Sequence, residues 1–330
     1  MKRLSAILLP VLALAIGTVA ATAQEKYPSK PVKIIVPYAP GGATDIVARV
    51  LGEQLRQSLG QSFVVENKPG AFGIIAIEEM ARSKPDGYTL MIGNVSTNAI
   101  TPLLYEKKLK VDYLKDVVAV GRLVDVPAFL IATTANFEPK TAAEFIAYAK
   151  ANKGKVRYGT VGVGSYPHFD MAYFAKRAGD LDMIAIHNKA GASGVINDMV
   201  TGDAQAAFLN VASTAAMVKA GKLRPLAIAN QTRLPEYPNV PTMKEIGYAD
   251  VGTIAWQGMF APAGTPKDVL ETLQKSVNEA MKAPMAQEAF NKQNFNVVPS
   301  KSLDDAKTWL ASEMAAWKKI TSEVKIEAAE

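Results

Sequence analysis

Short apolar runs alternate with helix-like runs along most of the chain, and this alternation limits the folds that it can adopt. Strands that alternate with helices over short connections predict an α/β chain with mainly parallel sheets covered on both faces. In such sheets a ligand binds beyond the carboxyl ends of the strands. The apolar and β-branched runs predict strands at Val32 to Val36, Phe63 to Val65, Thr89 to Ile92, Val117 to Leu123, Phe129 to Thr133, Val156 to Thr160, Met183 to Ile186, Ala206 to Leu209, Pro225 to Ala229 and Met259 to Ala261.

Four helices between these runs have recognisable starts. In each, a hydroxyl residue that can cap the helix is followed three positions later by a carboxylate. One of them, Thr265, also precedes a proline, which suits the first helical position. The four predicted caps are Thr141, Thr242, Thr265 and Ser302.

The turn Pro40-Gly41-Gly42 follows the first predicted strand and leads into a helix that we expect to begin near Thr44. A helix start leaves backbone N–H groups without intrahelical partners, and these groups attract anions. Similar polar, uncharged turns follow two other strands, at Gly93 to Asn98 and at Gly159 to Ser165. If these sheet edges face one another across a cleft, the turns form a neutral cage for a carboxylate.

The first 23 residues have the pattern of an export signal. Met1-Lys2-Arg3 is a basic start, residues 4–19 are almost continuously apolar, and Ala21-Thr22-Ala23 is a small-x-small cleavage site. A retained membrane anchor is the alternative, but a proline and a glycine interrupt the run and no basic flank follows it. We therefore expect cleavage after Ala23 and a periplasmic protein.

Composition indicates a two-lobed protein that is stabilised by packing. Cleavage would leave 307 of the 330 residues, a length that usually divides into two lobes. The chain has no cysteine, which excludes disulfides, a thiol nucleophile and a thiolate metal site. No low-complexity linker separates the lobes, so we expect crossing strands, with Val124 to Phe129 and Val251 to Gln257 as candidates.

The charge of the chain does not indicate a nucleic-acid partner. The net charge is +6, and loss of Lys2 and Arg3 would reduce it to +4. The basic residues are scattered, and the cluster of Lys107, Lys108 and Lys110 is typical of a solvated loop.

Several ordered motifs resemble one known family over nearly the whole mature chain. They are Val36-Pro37-Tyr38-x-Pro40-Gly41-Gly42-x-x-Asp45, Glu66-Asn67-Lys68-Pro69-Gly70-Ala71, Pro85-Asp86-Gly87-Tyr88-Thr89-Leu90, Tyr158-Gly159-x-x-Gly162-x-Gly164-Ser165-x-x-His168, Gly221-Lys222-Leu223-Arg224-Pro225-Leu226-Ala227 and Ala261-Pro262-Ala263-Gly264-Thr265-Pro266. In this order they are similar to the Bug-type solute-binding receptors of tripartite tricarboxylate transporters.

This resemblance implies an α/β periplasmic-binding-protein fold of type II, a Venus flytrap with two crossing strands. It implies a monomer that performs no chemistry, needs no cofactor or metal, and delivers a small carboxylate (di- or tricarboxylate, or aromatic) to a membrane permease. We expect one lobe to comprise residues 24–126 and 254–330, and the other residues 127–253. The predicted ligand-binding residues are Tyr38, Pro40, Gly41, Gly42, Ala43, Thr44, Asp45, Asn94, Ser96, Thr97, Thr160, Gly162, Gly164, Ser165, His168, Ala190 and Asn210.

The chain departs from the family pattern at three places. Asn210 replaces a frequent aspartate, which lowers repulsion toward a dianion and makes an amino-acid ligand less favourable. Phe72 and Ile74 replace residues of a Gly-Gly-Asn sequence. They either provide an apolar or aromatic surface near the cleft, which would suit an aromatic carboxylate, or pack beneath the loop. The segment from His187 to Gly191 replaces an aromatic-Lys-Gly pattern, which leaves its contacts open.

Three patterns for other activities are incomplete. Gly162-Val163-Gly164 lacks the third glycine of a dinucleotide-binding turn, since Pro167 stands there. His168 and His187 are the only histidines and are too far apart for a recognisable zinc motif. No serine lies in a Gly-x-Ser-x-Gly sequence. An exported enzyme on this scaffold, or a ligand sensor for a membrane kinase, are the alternatives to a transport receptor.

Some residues allow both a structural and a functional interpretation. Asp45 favours the helix dipole and is expected to organise the turn, paired with Arg49 one helical turn later. Tyr38 directly precedes the Pro-Gly-Gly turn and is expected to close over a ligand. Trp256 either closes over the ligand or lies in the core. The stripe of Trp309, Leu310, Met314 and Trp317 is expected to pack on a lobe surface, with partner binding as the alternative.

Overall fold

The structure is a computed structural model that describes residues 27–188, 190–324 and 326. The predicted signal peptide of residues 1–23 lies outside the described residues. Within the described part of the chain, no helix is long and apolar enough to cross a membrane.

Strands and helices alternate as the sequence predicts. The strands are β1 (Val32–Val36), β2 (Phe63–Asn67), β3 (Thr89–Asn94), β4 (Val117–Val126), β5 (Ala128–Thr133), β6 (Val156–Thr160), β7 (Met183–His187), β8 (Ala206–Asn210), β9 (Leu223–Ala229), β10 (Ala255–Pro262) and β11 (Asn296–Val297). The α-helices are α1 (Ala43–Leu59), α2 (Ile74–Ala81), α3 (Thr101–Leu104), α4 (Tyr113–Asp116), α5 (Ala142–Ala151), α6 (Tyr166–Arg177), α7 (Ala192–Thr201), α8 (Val211–Lys219), α9 (Lys267–Lys282), α10 (Pro284–Asn291) and α11 (Leu303–Glu323).

The strands form two separate sheets, each of mixed direction. The first has the order β11-β4-β10-β3-β1-β2, and the second β7-β6-β8-β5-β9. Pairs β1–β2, β1–β3, β6–β7 and β6–β8 are parallel. Strand β10 is antiparallel to β3 and β4, and β5 is antiparallel to β8 and β9. The prediction of mainly parallel sheets is therefore wrong, because the strands that carry the chain between the sheets run against their neighbours.

The chain passes between the two sheets twice. Strand β4 ends at Val126 in the first sheet and β5 begins at Ala128 in the second, with only Pro127 between them. The chain returns after β9 and re-enters the first sheet at Ala255, the first residue of β10. Both passages fall at the segments predicted to cross.

Two of the four predicted helix caps are confirmed. Thr141 Oγ1 accepts the Glu144 N–H at 3.1 Å and Ser302 Oγ accepts the Asp305 N–H at 3.1 Å. Thr242 makes the same contact with Glu245 N at 3.2 Å, but only a turn follows, not an α-helix.

The predicted cap at Thr265 is wrong. Its hydroxyl donates to the Pro262 carbonyl at 2.8 Å, and the residue that caps α9 is Pro266. The Thr265 side chain is engaged with the end of β10 and is not free to face the helix.

The core extends over both sheets, and the C-terminal helix joins them. Trp256 on β10 is fully buried and donates to Glu313 Oε2 at 2.7 Å, so it is a core residue and does not close over a ligand. On α11, Trp309 and Trp317 are buried, and the Trp317 ring lies 5.8 Å from that of Phe169 on α6. Helix α11 also packs along β4, so this stripe contacts elements of both sheets.

Candidate ligand-binding site

The Pro-Gly-Gly turn presents an uncovered helix start at the carboxyl end of β1. Gly42 caps α1 without any side-chain hydrogen bond, and Pro40, Gly41 and Gly42 are exposed. A Cβ built on Gly41 or Gly42 would have no neighbour within 4 Å. Helix α1 begins at Ala43, and the first N–H groups of a helix have no intrahelical partners, so they can bind an anion.

Asp45 organises this turn from within. Its carboxylate accepts hydrogen bonds from the Gly41 N–H at 3.0 Å, from Arg49 at 2.9 Å and from Asn67 Nδ2 at 2.9 Å. Burial acts to raise the pKa of Asp45, but the hydrogen bonds from Arg49, Gly41 and Asn67 outweigh it and lower that pKa. The carboxylate is thus ionised and fully engaged, as expected for a residue that shapes the turn.

Thr44 also serves the structure through its side chain. Its hydroxyl is buried and donates to Gln257 Oε1 on β10 at 2.7 Å. The hydroxyl is therefore committed to the first sheet, and Thr44 can offer only its backbone N–H to a ligand.

Tyr38 and the turn after β3 form a second polar unit beside the first. Tyr38 Oη donates to Asn94 Oδ1 at 2.7 Å, and the same oxygen accepts the N–H groups of Ser96 at 3.0 Å and Thr97 at 3.3 Å. Burial raises the pKa of Tyr38 well above its usual value, so it stays a neutral donor. Asn94 therefore fixes the phenol of Tyr38 against the turn.

In the second sheet the predicted residues lie on the loop between β6 and α6. Thr160 Oγ1 accepts the Gly162 N–H at 3.2 Å, and Ser165 Oγ donates to the Gly162 carbonyl at 2.7 Å. Gly162 and Gly164 have φ of 138° and 75°, which favour glycine. Both hydroxyls bind their own loop, so they shape it.

The two histidines, far apart in the sequence, meet at this loop. Their rings lie 4.7 Å apart at 64°, and His187 Nδ1 is 2.6 Å from Thr160 Oγ1. His168 is buried and accepts the Gly164 N–H at its Nδ1, at 3.3 Å. Burial, and secondly the neighbouring His187, lower the pKa of His168 to about 4, so the ring is neutral.

Loops from the two sheets touch one another directly. Ser96 Oγ accepts the N–H of Tyr166, the first residue of α6, at 3.2 Å. A Cβ added to Gly164 would overlap Leu104 Cδ2, and one added to Gly162 would lie 3.5 Å from Phe72 Cε1. The structure thus brings the turns of the first sheet against the glycine loop of the second.

Two predicted residues occupy less central positions. Ala190 is exposed on the loop after β7, and its N–H donates to Asn188 Oδ1 at 2.9 Å. Asn210 caps α8 by accepting the Ser213 N–H at 2.8 Å.

Sequence reasoning left four of these residues out of the site. They are the hydroxyl partner His187, the loop-to-loop contact Tyr166, and the amides of Asn67 and Gln257 that bind Asp45 and Thr44. Three of them had a local signal: Tyr166 directly follows the predicted Ser165, Asn67 lies in one of the family motifs, and His187 begins a segment that departs from the family pattern. Among the described residues no group of three or more His, Cys, Asp or Glu side chains is placed to hold a metal ion.

Known proteins resemble this chain in sequence and in structure. A family model described as a tripartite tricarboxylate transporter family receptor matches residues 47–326. The protein BugT of Bordetella pertussis is 33% identical over 308 residues, which cover 93% of each chain.

Two solved structures from Rhodopseudomonas palustris match the fold. One, of a protein with adipate, has a TM-score of 0.83 and 28% identity, and covers 91% of this chain and 99% of that one. The other, MatC with bound malate, has a TM-score of 0.79 and 26% identity, and covers 89% of this chain and 99% of that one. The two-sheet architecture is that of a two-lobed periplasmic binding protein, and members of the matched family are periplasmic solute-binding proteins. The chain belongs to the tripartite tricarboxylate transporter receptor family.

Proposed function

We propose that this protein captures a small carboxylate between its two lobes and delivers it to the membrane permease of a tripartite tricarboxylate-type transporter. The observation that carries the proposal is the start of α1 at Gly42, which no side chain caps, while the neighbouring turn after β3 contacts the first residue of α6 in the other sheet. Backbone N–H groups at a helix start bind an anion without a cationic side chain. The adipate and malate in the related structures support a carboxylate as the ligand.

The lobes that close on the ligand are residues 24–126 with 254–330, and residues 127–253. The mature protein begins at Gln24 and acts as a periplasmic monomer. Closure about the hinge at Pro127 brings the turns of both lobes onto the ligand, as in other hinged binding proteins. The site residues are those of the three turns, with Tyr38 and Asn94 on one side and Gly162, Gly164 and Ser165 on the other.

The protein binds its ligand without altering it. The side chains that could act on a substrate are already committed: Asp45 to Arg49, Ser165 to Gly162, and Thr160 to His187. His168 uses its Nδ1 to accept a backbone N–H. A nucleophile needs an adjacent base, and Ser165 donates to a carbonyl oxygen.

Calorimetry on the purified mature protein tests this function. We expect one site per chain for at least one member of a panel of adipate, malate, citrate and benzoate, and recovery of the ligand unchanged after denaturation. Sugars and amines in the same panel serve as controls. Binding of a sugar or an amine with no carboxylate bound would overturn the proposal, and a recovered product would favour an enzyme.

A further inference from the structure

Phe72 is exposed where an aromatic side chain would ordinarily be covered. It lies in the short turn Ala71–Gly73 between β2 and α2, and 40% of its surface is accessible. Among the described residues it is the one aromatic in the set of exposed large hydrophobic side chains, which otherwise comprises Val64, Ile75, Leu114, Ile184 and Met285. The alternative that Phe72 packs beneath its loop is therefore wrong.

The backbone of this turn is held in an unfavourable conformation. Ala71 and Phe72 have φ of 44° and 55°, in the left-handed region that residues with a Cβ rarely adopt. Such conformations persist only where the surroundings impose them, and they concentrate at functional sites. The hydroxyl of Thr101 donates to the Phe72 carbonyl at 2.8 Å and is one of the contacts that fix the turn.

The residue after Phe72 ties the turn to the proposed site. A Cβ on Gly73 would lie 2.6 Å from Thr97 Cγ2 and 3.6 Å from Pro37 Cβ. Thr97 belongs to the turn after β3, and Pro37 directly precedes Tyr38. Gly73, the residue next to Phe72, therefore packs against the two turns that form the first lobe's side of the site.

The ring of Phe72 is fixed in its orientation. It stacks on Tyr105 with ring centroids 4.9 Å apart and an angle of 12° between planes, and Tyr105 itself is buried. Its Cε1 atom faces Gly162 of the other lobe, 3.5 Å from where a Cβ would be. The ring thus stands between the two lobes as a rigid apolar wall, supported from behind by Tyr105.

We infer that Phe72 determines specificity, and that the preferred ligand is a carboxylate whose body is an aromatic ring. This rests on the proposed function, since the helix start of α1 is taken to hold the carboxylate. The body of the ligand then extends beside the exposed part of Phe72. Aromatic and saturated bodies of the same size both bury apolar area there. Only the aromatic body also gains an offset-stacked or edge-to-face contact with the Phe72 ring.

Matched pairs of ligands and a conservative variant test the inference. Calorimetry would compare benzoate with cyclohexanecarboxylate, and phenylacetate with cyclohexylacetate, on the mature protein. We expect the aromatic member of at least one pair to bind about three- to tenfold more tightly. In Phe72→Leu the ratio of the aromatic to the saturated ligand's affinity should fall to about one, because only the contact between aromatic rings is lost. The affinity for the saturated ligand should be unchanged.

A second variant controls for general effects of surface substitution. Leu114 is 70% exposed on α4, and Leu114→Ala is expected to leave every affinity unchanged. Equal affinities for the aromatic and saturated members of both pairs in the wild type would overturn the inference. A loss of affinity in Phe72→Leu that is the same for aromatic and saturated ligands would also overturn it. In either case, binding of adipate or malate would still support the proposed function. Absence of binding by every carboxylate would overturn both.

Discussion

The carboxylate of Asp170 accepts two hydrogen bonds from Thr253, one from its N–H at 2.9 Å and one from its hydroxyl at 2.6 Å. Asp170 lies on α6, the helix whose first residue contacts the opposite lobe. Thr253 lies just before β10, where the chain returns to the first sheet. The pair of buried Asp170 and half-buried Thr253 therefore connects the helix that follows the glycine loop to one of the two passages between the lobes.

Asp170 makes the stability of the protein depend on pH near neutrality. Burial raises the pKa of its carboxyl from 3.8 to about 7, against the lowering effect of the Thr253 hydrogen bonds. Because the folded pKa is raised, the stabilising contribution of the protonated group is fully present below pH 3.8 and is lost as the pH rises through about 7. A tenfold difference in proton affinity between the folded and unfolded chain corresponds to about 1.4 kcal/mol of stability.

The variant Asp170→Asn cannot ionise and should lack this component of the pH dependence. Urea unfolding at pH 5 and pH 8 would measure it: the wild type should lose more stability than Asp170→Asn between these values. Asp182→Asn removes an exposed carboxyl of the same lobe and should keep the wild-type slope. Parallel slopes for the wild type and Asp170→Asn would contradict the prediction.

Gly42 allows the anion site to be blocked without strain. Its φ of −82° and ψ of 171° are open to any residue, and a Cβ there meets no atom within 4 Å. Gly42→Val should therefore cover the first N–H groups of α1 and reduce the affinity for the carboxylate at least tenfold. The free energy of unfolding should change by less than about 1 kcal/mol. Ala143→Val, at an exposed position in the first turn of α5, is the matched control for binding. Unchanged affinity in Gly42→Val would remove α1 from the site.

Asp45 should stabilise the turn more at neutral pH than in acid. Asp45→Asn removes part of the hydrogen-bond acceptor capacity that Gly41 and Arg49 use. We expect the free energy of unfolding to fall by about 1–3 kcal/mol at pH 7. Burial opposes the shift, but the hydrogen bonds from Arg49 and the other donors lower the pKa of Asp45, so its contribution is present above pH 3.8 and is lost as the pH falls further. Denaturant titrations should show a smaller difference in stability between Asp45→Asn and the wild type at pH 3 than at pH 7. As a control, Asp304→Asn in the first turn of α11 should reduce the stability at pH 7 by less than Asp45→Asn does.

Local patterns predicted the elements better than their pairing. The bounds of β1 and β6 match the predicted runs, because both strands contain β-branched residues, with a tyrosine in β6, and turn residues follow each of them. Strand β10 begins at Ala255, four residues before the predicted Met259, since its first part is defined by pairing with β4 across the sheet. The two-residue β11 was not predicted, because it too exists through its pairing with β4.

The same distinction applies to the candidate site. The glycine turns carry their conformation in their own residues, so the sequence could identify them. The partners of the side chains could not be identified in this way. Thr44 meets Gln257 across 213 positions of sequence, and Thr160 meets His187 across 27. Which hydroxyls face a ligand and which support a loop depends on those distant partners.

His168 should remain neutral well below the usual titration range of histidine. Burial, followed by the nearby His187, lowers its pKa to about 4, and its Nδ1 accepts the Gly164 N–H. Because the folded pKa is depressed, the contribution of the neutral ring is present above pH 6.5 and is lost as the pH falls toward 4. Since the chain has only two histidines, NMR of the imidazole signals can follow both.

In His187→Gln the remaining signal belongs to His168, which settles the assignment. Removing the second ring also removes a positive charge that would oppose protonation, so the pKa of His168 should rise in this variant while staying below 6.5, because burial is the larger cause. Titration of His168 near pH 6.5 in the wild type would show that the ring is solvated and that the glycine loop is open in solution. A pKa unchanged in His187→Gln would show that the two rings do not interact at the separation of 4.7 Å seen here.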